Sequence, residues 1–483
     1  MWILQKPIRV LFGSTLLLLT ACGGGRNSEN IELDTTPPVI TLHGDSTMTL
    51  ALGRSYSEPG ANANDDEDGV VEVVISGAID TSTLGHYTLT YTATDTAGNS
   101  ASITRDIIIA APRPFITTWE TNVNGKAFSD DNQIMIDTDG TGYDYQVDWG
   151  DGTVDEHVTG DIVHTYATEG TYTVTINGSF PQLYFEAPID EYYNLYSSDH
   201  NKLRSIEQWG DIQWRSMHRA FAGCKSLISN ATDKPDLSNV SDMRSMFEGA
   251  EVLNQDLSSW DVSNVTDMSN MFYLAKAFNQ DLGSWDVSNV TDMSDMFFLA
   301  QAFNQNLGSW NVSNVTNMSG MFHHARAYNQ DLNSWDVSNV TDMGAMFSMA
   351  EVFNQDLSSW DVSKVTDMGA MFFEAKVFNQ DLSNWDVSNV LSMHTMFSGT
   401  TNFNQDLSSW DVSNATNMFW MFKGVTLSTE NYDALLIGWL NLPLQHDVAF
   451  HGGDSQYSNS AQSARDVLTY SYGWEITDGG VAN

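Results

Sequence analysis

Cysteine and positive charge are what this 483-residue sequence has least of. There are 20 Lys and Arg against 62 Asp and Glu, a formal net charge of -42. A field of that sign repels polyphosphates and anionic headgroups, which excludes nucleic acid as a partner and leaves cations, basic proteins and neutral glycans. The plain alternative is that surface carboxylates only keep an extracellular chain soluble. Cysteine occurs twice, at Cys22 and Cys224. Cys224 falls in the slot that Ala250 and Ala275 fill further on, which predicts a small buried hydrophobe and not a reactive thiol. A membrane-spanning run is also missing: the apolar stretch Val10–Leu19 is too short to cross a bilayer.

That short stretch reads as targeting. Lys6 and Arg9 precede it, and Leu19-Thr20-Ala21-Cys22 closes it, the arrangement of a cleaved signal. The tetrapeptide resembles the lipobox of bacterial lipoproteins. The resemblance implies cleavage before Cys22, acylation there, and an outer-membrane lipid anchor facing the cell surface or, alternatively, the periplasm. Cys224 then has no partner for an intramolecular disulfide.

What the sequence has in abundance is a repeat. Trp260, Trp285, Trp310, Trp335, Trp360, Trp385 and Trp410 stand 25 residues apart, and most other positions keep step with them. A period in this range marks a solenoid whose units bury their apolar faces only against neighbours. Within the unit around Trp260, the alternation of Trp260 and Val262 with polar residues predicts a short strand. Val265, Met268, Met271, Phe272 and Ala275 predict a helical or 3₁₀ segment after it. The expected fold is therefore multidomain, mainly β with an α/β solenoid. A Trp in each coil contributes several kcal/mol as an upper estimate, so Trp335→Ala should cost ~3–5 kcal/mol. The Asn column from Asn254 to Asn404 invites coil-to-coil hydrogen bonding.

The opening L-x-x-W-x-V follows leucine-rich repeats, and the wording of the units resembles the BspA-like bacterial surface repeats, from about Trp209 to the C-terminus. That resemblance implies a surface protein that binds host, cell or matrix partners. Met217, Phe221 and Cys224 match the later units at an offset of 26, which predicts a degenerate capping coil.

Ahead of the repeats lie β-branched runs separated by turn residues, the pattern of small β-sandwiches. Pro37–Leu42, Tyr87–Tyr91 and Asp95–Asn99 resemble bacterial Ig-like and hyalin-repeat modules. Val147–Thr153 with His164-Thr165-Tyr166 resembles the PKD sandwich, which implies structural roles for Asp151 and His164. The domain plan is a signal (1–22), a linker (23–34), an Ig-like sandwich (35–111) and a PKD-like sandwich (112–180). A transitional and capping stretch (181–234), the 25-residue repeats (235–422) and a C-terminal cap (423–483) follow.

Function is expected where units differ. Tyr273, Phe298, His323, His324 and Phe373 vary beside the constant Met-Phe pair and form the candidate partner-binding face. No catalytic residue and no metal ligand is assigned, because carboxylates such as Asp261 and Asp267 recur in nearly every coil and none has a distinctive environment. No cofactor is expected, with Ca²⁺ at the Asp65–Asp68 turn left as an alternative to a solvated acidic turn. The reading is a non-catalytic surface or outer-membrane lipoprotein that uses its repeats for adhesion, with a protein or glycan ligand. The alternatives are a polysaccharide-processing enzyme and a purely structural envelope scaffold.

Overall fold

The computed structural model describes residues 33–123, 128–186 and 198–482. Cys22, the signal and the linker up to residue 32 lie outside the described residues. The chain divides into two compact units, Met1–Ala111 and Pro112–Asn483.

The first unit is all β. Strands β1 (Val39–Leu42), β3 (Ala61–Asp65) and β4 (Gly69–Val71) make one sheet in the order β1-β3-β4. Strands β2 (Thr47–Ala51), β5 (Val73–Ser76), β6 (Gly85–Thr94) and β7 (Ser100–Ala110) make the other, in the order β2-β7-β6-β5. Alternation buries Leu89, Tyr91 and Ala93 from β6 and Ile107 and Ile109 from β7. Arg105 is fully buried among them, its guanidinium paired with Glu58 and its Nε donating to the Asp45 carbonyl at 3.0 Å. Pairing is what makes that charge tolerable in a core.

The second unit opens on β8 (Phe115–Glu120), β9 (Gln133–Ile136), β10 (Asp144–Asp148), β11 (Val154–Val158), β12 (Ile162–Thr165) and β13 (Thr171–Ser179). β14 (Leu203–Gln208) and β15 (Ile228–Ser229), from the stretch read as transitional, continue the same sheet, in the order β11-β10-β13-β8-β14-β15. β12 pairs with β9. The turn between β10 and β11 needs glycine at Gly150: φ is +77°, and a Cβ would lie 2.4 Å from the Thr173 carbonyl oxygen. Trp149 beside it is buried, donates from Nε1 to Asp155 at 2.8 Å and stacks on His164. His164 in turn bonds Asp151 at 2.9 Å, and the Tyr166 hydroxyl donates to the Trp149 carbonyl. Burial would raise the Asp151 carboxyl, but hydrogen bonds from Thr153 and His164 outweigh it and hold it at about 2. Asp151 and His164 are thus engaged in holding the turn.

The repeats correct the α/β expectation. Trp260–Val262 is not a strand, and the segment after Val265 is not a helix; residues 269–274 are consecutive turns. The two helices of the described residues both lie beyond the repeats. The period-3 spacing misled because each apolar residue closes its own three-residue turn: the N–H of Met271 bonds the Met268 carbonyl, and Ala275 bonds Phe272. Intervening N–H groups bond the next coil. Met268, Asn270, Phe272 and Leu274 donate to the carbonyls of Asp292, Ser294, Met296 and Phe298 at 2.8–3.0 Å. Single parallel bridges link Asp242 to Asp267, Asp267 to Asp292 and so on to Asn417. This geometry requires left-handed backbone twice per coil, at Asn270 (φ 58°) and Leu274 (φ 59°) and their equivalents, an uncommon state for residues with a Cβ.

Side chains complete the coil-to-coil bonding. Each Asn Oδ1 accepts the N–H of the next Asn, as Asn279 does for Asn304 at 2.9 Å, and also the next Gln amide. Each Trp Nε1 donates to the Leu carbonyl one coil back, Trp335 to Leu307 at 2.9 Å. Inside, Phe272, Phe297, Phe322, Phe347, Phe372 and Phe397 stack ring on ring, next to fully buried Met columns. Cys224 is buried in this interior, and burial pushes its thiol well above the usual range.

A cap closes the C-terminal end: α1 (Thr429–Leu440), β16 (Ala449–His451), α2 (Gln462–Tyr470) and β17 (Glu475–Thr477), with β16 and β17 parallel. Ser428 caps α1 by accepting from the Asn431 N–H.

Candidate binding face of the repeats

Two columns that follow each Met-Phe pair differ from coil to coil. One runs through Glu248, Tyr273, Phe298, His323, Ser348, Phe373, Ser398 and Lys423, directly after each Met-Phe pair; the other is the left-handed position that follows it. The aromatic and imidazole side chains there are half-buried, whereas Ser348 and Ser398 are buried. The structure brings four of the five expected site residues together. Tyr273 and Phe298 stack at 4.5 Å, Phe298 meets His323 edge-on at 4.4 Å, and His323 stacks on His324 at 5.0 Å. Phe373 is separated from them by the Ser348 coil. All five are half-buried, and Tyr273, Phe298, His323 and His324 cover one another along the stack.

The electrostatics of the histidine pair are those of neutral rings. Burial, with the neighbouring His324, lowers His323 to about 4, and burial also lowers His324. The Nδ1 of His324 is buried with no partner. Among the described residues no third His, Cys or carboxylate is placed to complete a metal site with them.

Variation is correlated from coil to coil. Gly320 leaves the room that the Asp295 carboxylate fills, since a Cβ there would lie 2.0 Å from it; Gly369 does the same for the His394 ring. The most exposed aromatics of the face are ones that sequence reasoning passed over. Phe419 and Trp420 stack at 4.5 Å and are 47% and 40% exposed, and the Lys423 ammonium sits 3.6 Å over the Trp420 ring. Trp420 holds φ +56°, a strained state for so bulky a residue. The available signal was positional: Phe419-Trp420 replaces Ser-Asn, Gly-Ala or His-Thr between the two methionines of the unit.

On the other sides of each coil stand aspartates in register. Asp256, Asp261, Asp286 and Asp361 are held below the usual carboxylate range by the serine two residues on, whose hydroxyl and N–H both bond the carboxylate. Within the repeats, much of the negative charge thus sits on turn-making residues.

Three family models match parts of the chain. Residues 40–109 match the bacterial surface protein Ig-like domain, and residues 125–181 match the PKD domain. Residues 215–335 and 318–435 match a Mycoplasma protein of unknown function, DUF285. No curated protein matches the chain. Among solved structures, the lipoprotein BT2262 from Bacteroides thetaiotaomicron aligns at 20% identity and TM-score 0.15, over 26% of this chain and 54% of its own. The CBM51-2 and INT domains of Clostridium perfringens ZmpB, solved with GlcNAc, align at 10% identity and TM-score 0.13, over 45% of this chain and 81% of theirs. Among the described residues no helix is long and apolar enough to cross a membrane.

Proposed function

We propose that the chain is a non-catalytic bacterial surface protein, carried on a lipid anchor at Cys22, whose repeats form a solenoid that binds a protein or glycan. The observation that carries this reading is the division of labour in the repeats. The interior is nearly invariant, while aromatics and a lysine gather on one lateral face and end in the exposed pair Phe419 and Trp420. A rigid platform with exposed rings next to a cation offers stacking and hydrogen bonding to sugar rings or to aromatic and acidic side chains. The Ig-like and PKD matches support a spacer role for the N-terminal modules. The match to a surface-protein domain supports location on the cell surface.

The test uses intact cells that carry the full chain. Retention on immobilised neutral glycans and matrix proteins is compared with that of a Phe419→Ala, Trp420→Ala double variant. Binding that falls at least about tenfold in the variant, with unchanged thermal unfolding, supports the reading. Absence of binding by the parent, or equal binding by both, favours a structural envelope scaffold. Release of a Cys22→Ala variant from the membrane fraction checks the anchor.

A further inference from the structure

The first unit contains a convergence of carboxylates that the repeats do not. Asp34, Asp65 and Asp95 each place an oxygen within 4.8 Å of the others, although they lie before β1, at the end of β3 and in the turn between β6 and β7. Asp65 is 3% exposed and Asp95 is 7% exposed. The polar neighbours of the cluster are donors that leave one oxygen over. Asp65 Oδ1 accepts the N–H groups of Glu67 and Asp68 at 3.0 and 3.1 Å, and Asp95 accepts the N–H and side-chain amide of Asn99 at 2.7 and 2.8 Å. Asp34 accepts from the Thr36 N–H through its own carboxylate. Asp65 Oδ2 is buried and has no partner. No Lys, Arg or His forms an ion pair with any of the three among the described residues.

An unpartnered buried carboxylate oxygen is costly, and three converging carboxylates repel one another unless something positive lies between them. The donors are all hard oxygens, with no imidazole or thiolate, which selects a hard cation over a transition metal. Ca²⁺ takes several carboxylate oxygens in irregular geometry, whereas Mg²⁺ demands near-ideal octahedral geometry and keeps most of its waters, so a site of three protein carboxylates favours Ca²⁺. We propose that Asp34, Asp65 and Asp95 form a Ca²⁺ site. The ion fastens the last residue of the linker to the end of β3 and to the β6–β7 turn, three segments that no covalent link joins. Of the acidic run Asp65–Asp68, only Asp65 faces this site; Asp68 instead accepts from the N–H and hydroxyl of Thr96.

The experiment is amide hydrogen exchange on the full chain in millimolar Ca²⁺ and in chelator, reading peptides that span 61–68 and 92–99. Parent protein should exchange at least tenfold more slowly there with Ca²⁺, and Mg²⁺ at the same concentration should have little effect. Asp65→Asn should abolish the difference. Asp34→Ala, at a half-buried position outside every strand, should fold normally and reduce Ca²⁺ affinity at least tenfold. The proposal is overturned if the parent shows no Ca²⁺-dependent protection, if Mg²⁺ protects equally, or if both variants retain the parent's response.

Discussion

The repeats and the C-terminal cap build the same interior with opposite backbones. In the repeats, N–H groups that do not close a local turn are satisfied by the neighbouring coil. In the cap, α1 and α2 satisfy their own backbone, and the contacts with the last coils are individual bonds: Phe422 N–H donates to the His451 carbonyl, Trp439 Nε1 to the Leu407 carbonyl at 3.1 Å and the Gln445 amide to the Ser413 carbonyl. Trp439 thus takes the place of the next tryptophan, and Ser428 and Asn431 take up the Asn404 carbonyl and amide oxygens as the next Asn and Gln would. The difference shows that the hydrogen-bonding side chains are what a following unit must match, whereas the backbone between them is free to change. A coil of the repeat type is a poor end to a stack, because its outward apolar face would be left in water.

The sharpest way to break this comparison is to remove residues 429–483. The last coil then exposes Met418, Met421 and Phe422, all fully buried in the intact chain. We expect aggregation, or a fall of at least about 10 °C in the unfolding temperature by circular dichroism; a soluble truncation of unchanged stability would show that the coils are self-sufficient. Next in size, Trp335→Ala should cost ~3–5 kcal/mol in urea unfolding, because it removes a side chain that is 3% exposed and leaves the Leu307 carbonyl without its donor. Trp335→Phe keeps the ring and should cost ~1–2 kcal/mol. Equal losses in the two variants would assign the whole effect to the hydrogen bond.

A third test uses pH and the neighbouring sheet. Burial, followed by Asp161, Asp199 and Glu186, pushes the Asp137 carboxyl up to about 8. Its unfolded value lies near ~3.9, so the folded state holds the extra proton between those values, and stability falls as pH rises from about 4 to 8. Asp261 and Asp286 of the repeats, lowered by hydrogen bonds from Ser263 and Ser288, act with the opposite sign and lose their contribution as pH drops through the carboxylate range. Asp137→Asn should therefore flatten the loss between pH 5 and 8 by on the order of 1–2 kcal/mol, read from urea midpoints at each pH. An unchanged slope would mean that Asp137 is ionised in the native state. The smallest effect is expected at Ala345, which holds φ +55°. Ala345→Gly should stabilise by ~0.5–1 kcal/mol, as relief of left-handed strain exceeds the added freedom of the unfolded chain. A loss would show that the Ala345 methyl packs usefully.

The interior of the repeats was legible because burial repeats with the period: Trp, Val, Met, Phe, Ala and Leu recur at the same places and are the residues that the fold hides. The helices of the cap follow helical spacing of their buried residues, Tyr432, Leu435, Leu436 and Trp439 in α1 and Ala464 and Leu468 in α2. The coil backbone was not legible. Spacings of three and one occur equally in a helix and in successive tight turns, and only the scattered Gly249, Gly320, Gly399 and Gly424 at the two positive-φ positions gave a hint of left-handed geometry. On the binding face, the column through Tyr273 and Phe298 could be located by its variation. That its rings stack on one another, and that Phe419 and Trp420 are the exposed ones, depends on distances between coils that no single unit encodes. Asp34 and Asp95 escaped notice beside Asp65 because they are 31 and 30 residues away from it in the chain.

The direction of the inter-coil bonds bears on how charge is distributed along the repeats. On one side of every coil, four N–H groups point toward the C-terminus, as Met268, Asn270, Phe272 and Leu274 do. On the other sides the bonds run back toward the N-terminus, from Thr291 N–H to Thr266, from Ala302 N–H to Lys276, from Trp310 Nε1 to Leu282 and from Asn314 Nδ2 to Ser288. The peptide and side-chain dipoles therefore oppose one another within each layer, unlike those of an α-helix, which add along its axis. The net dipole therefore does not build up with the number of coils as it does along a helix.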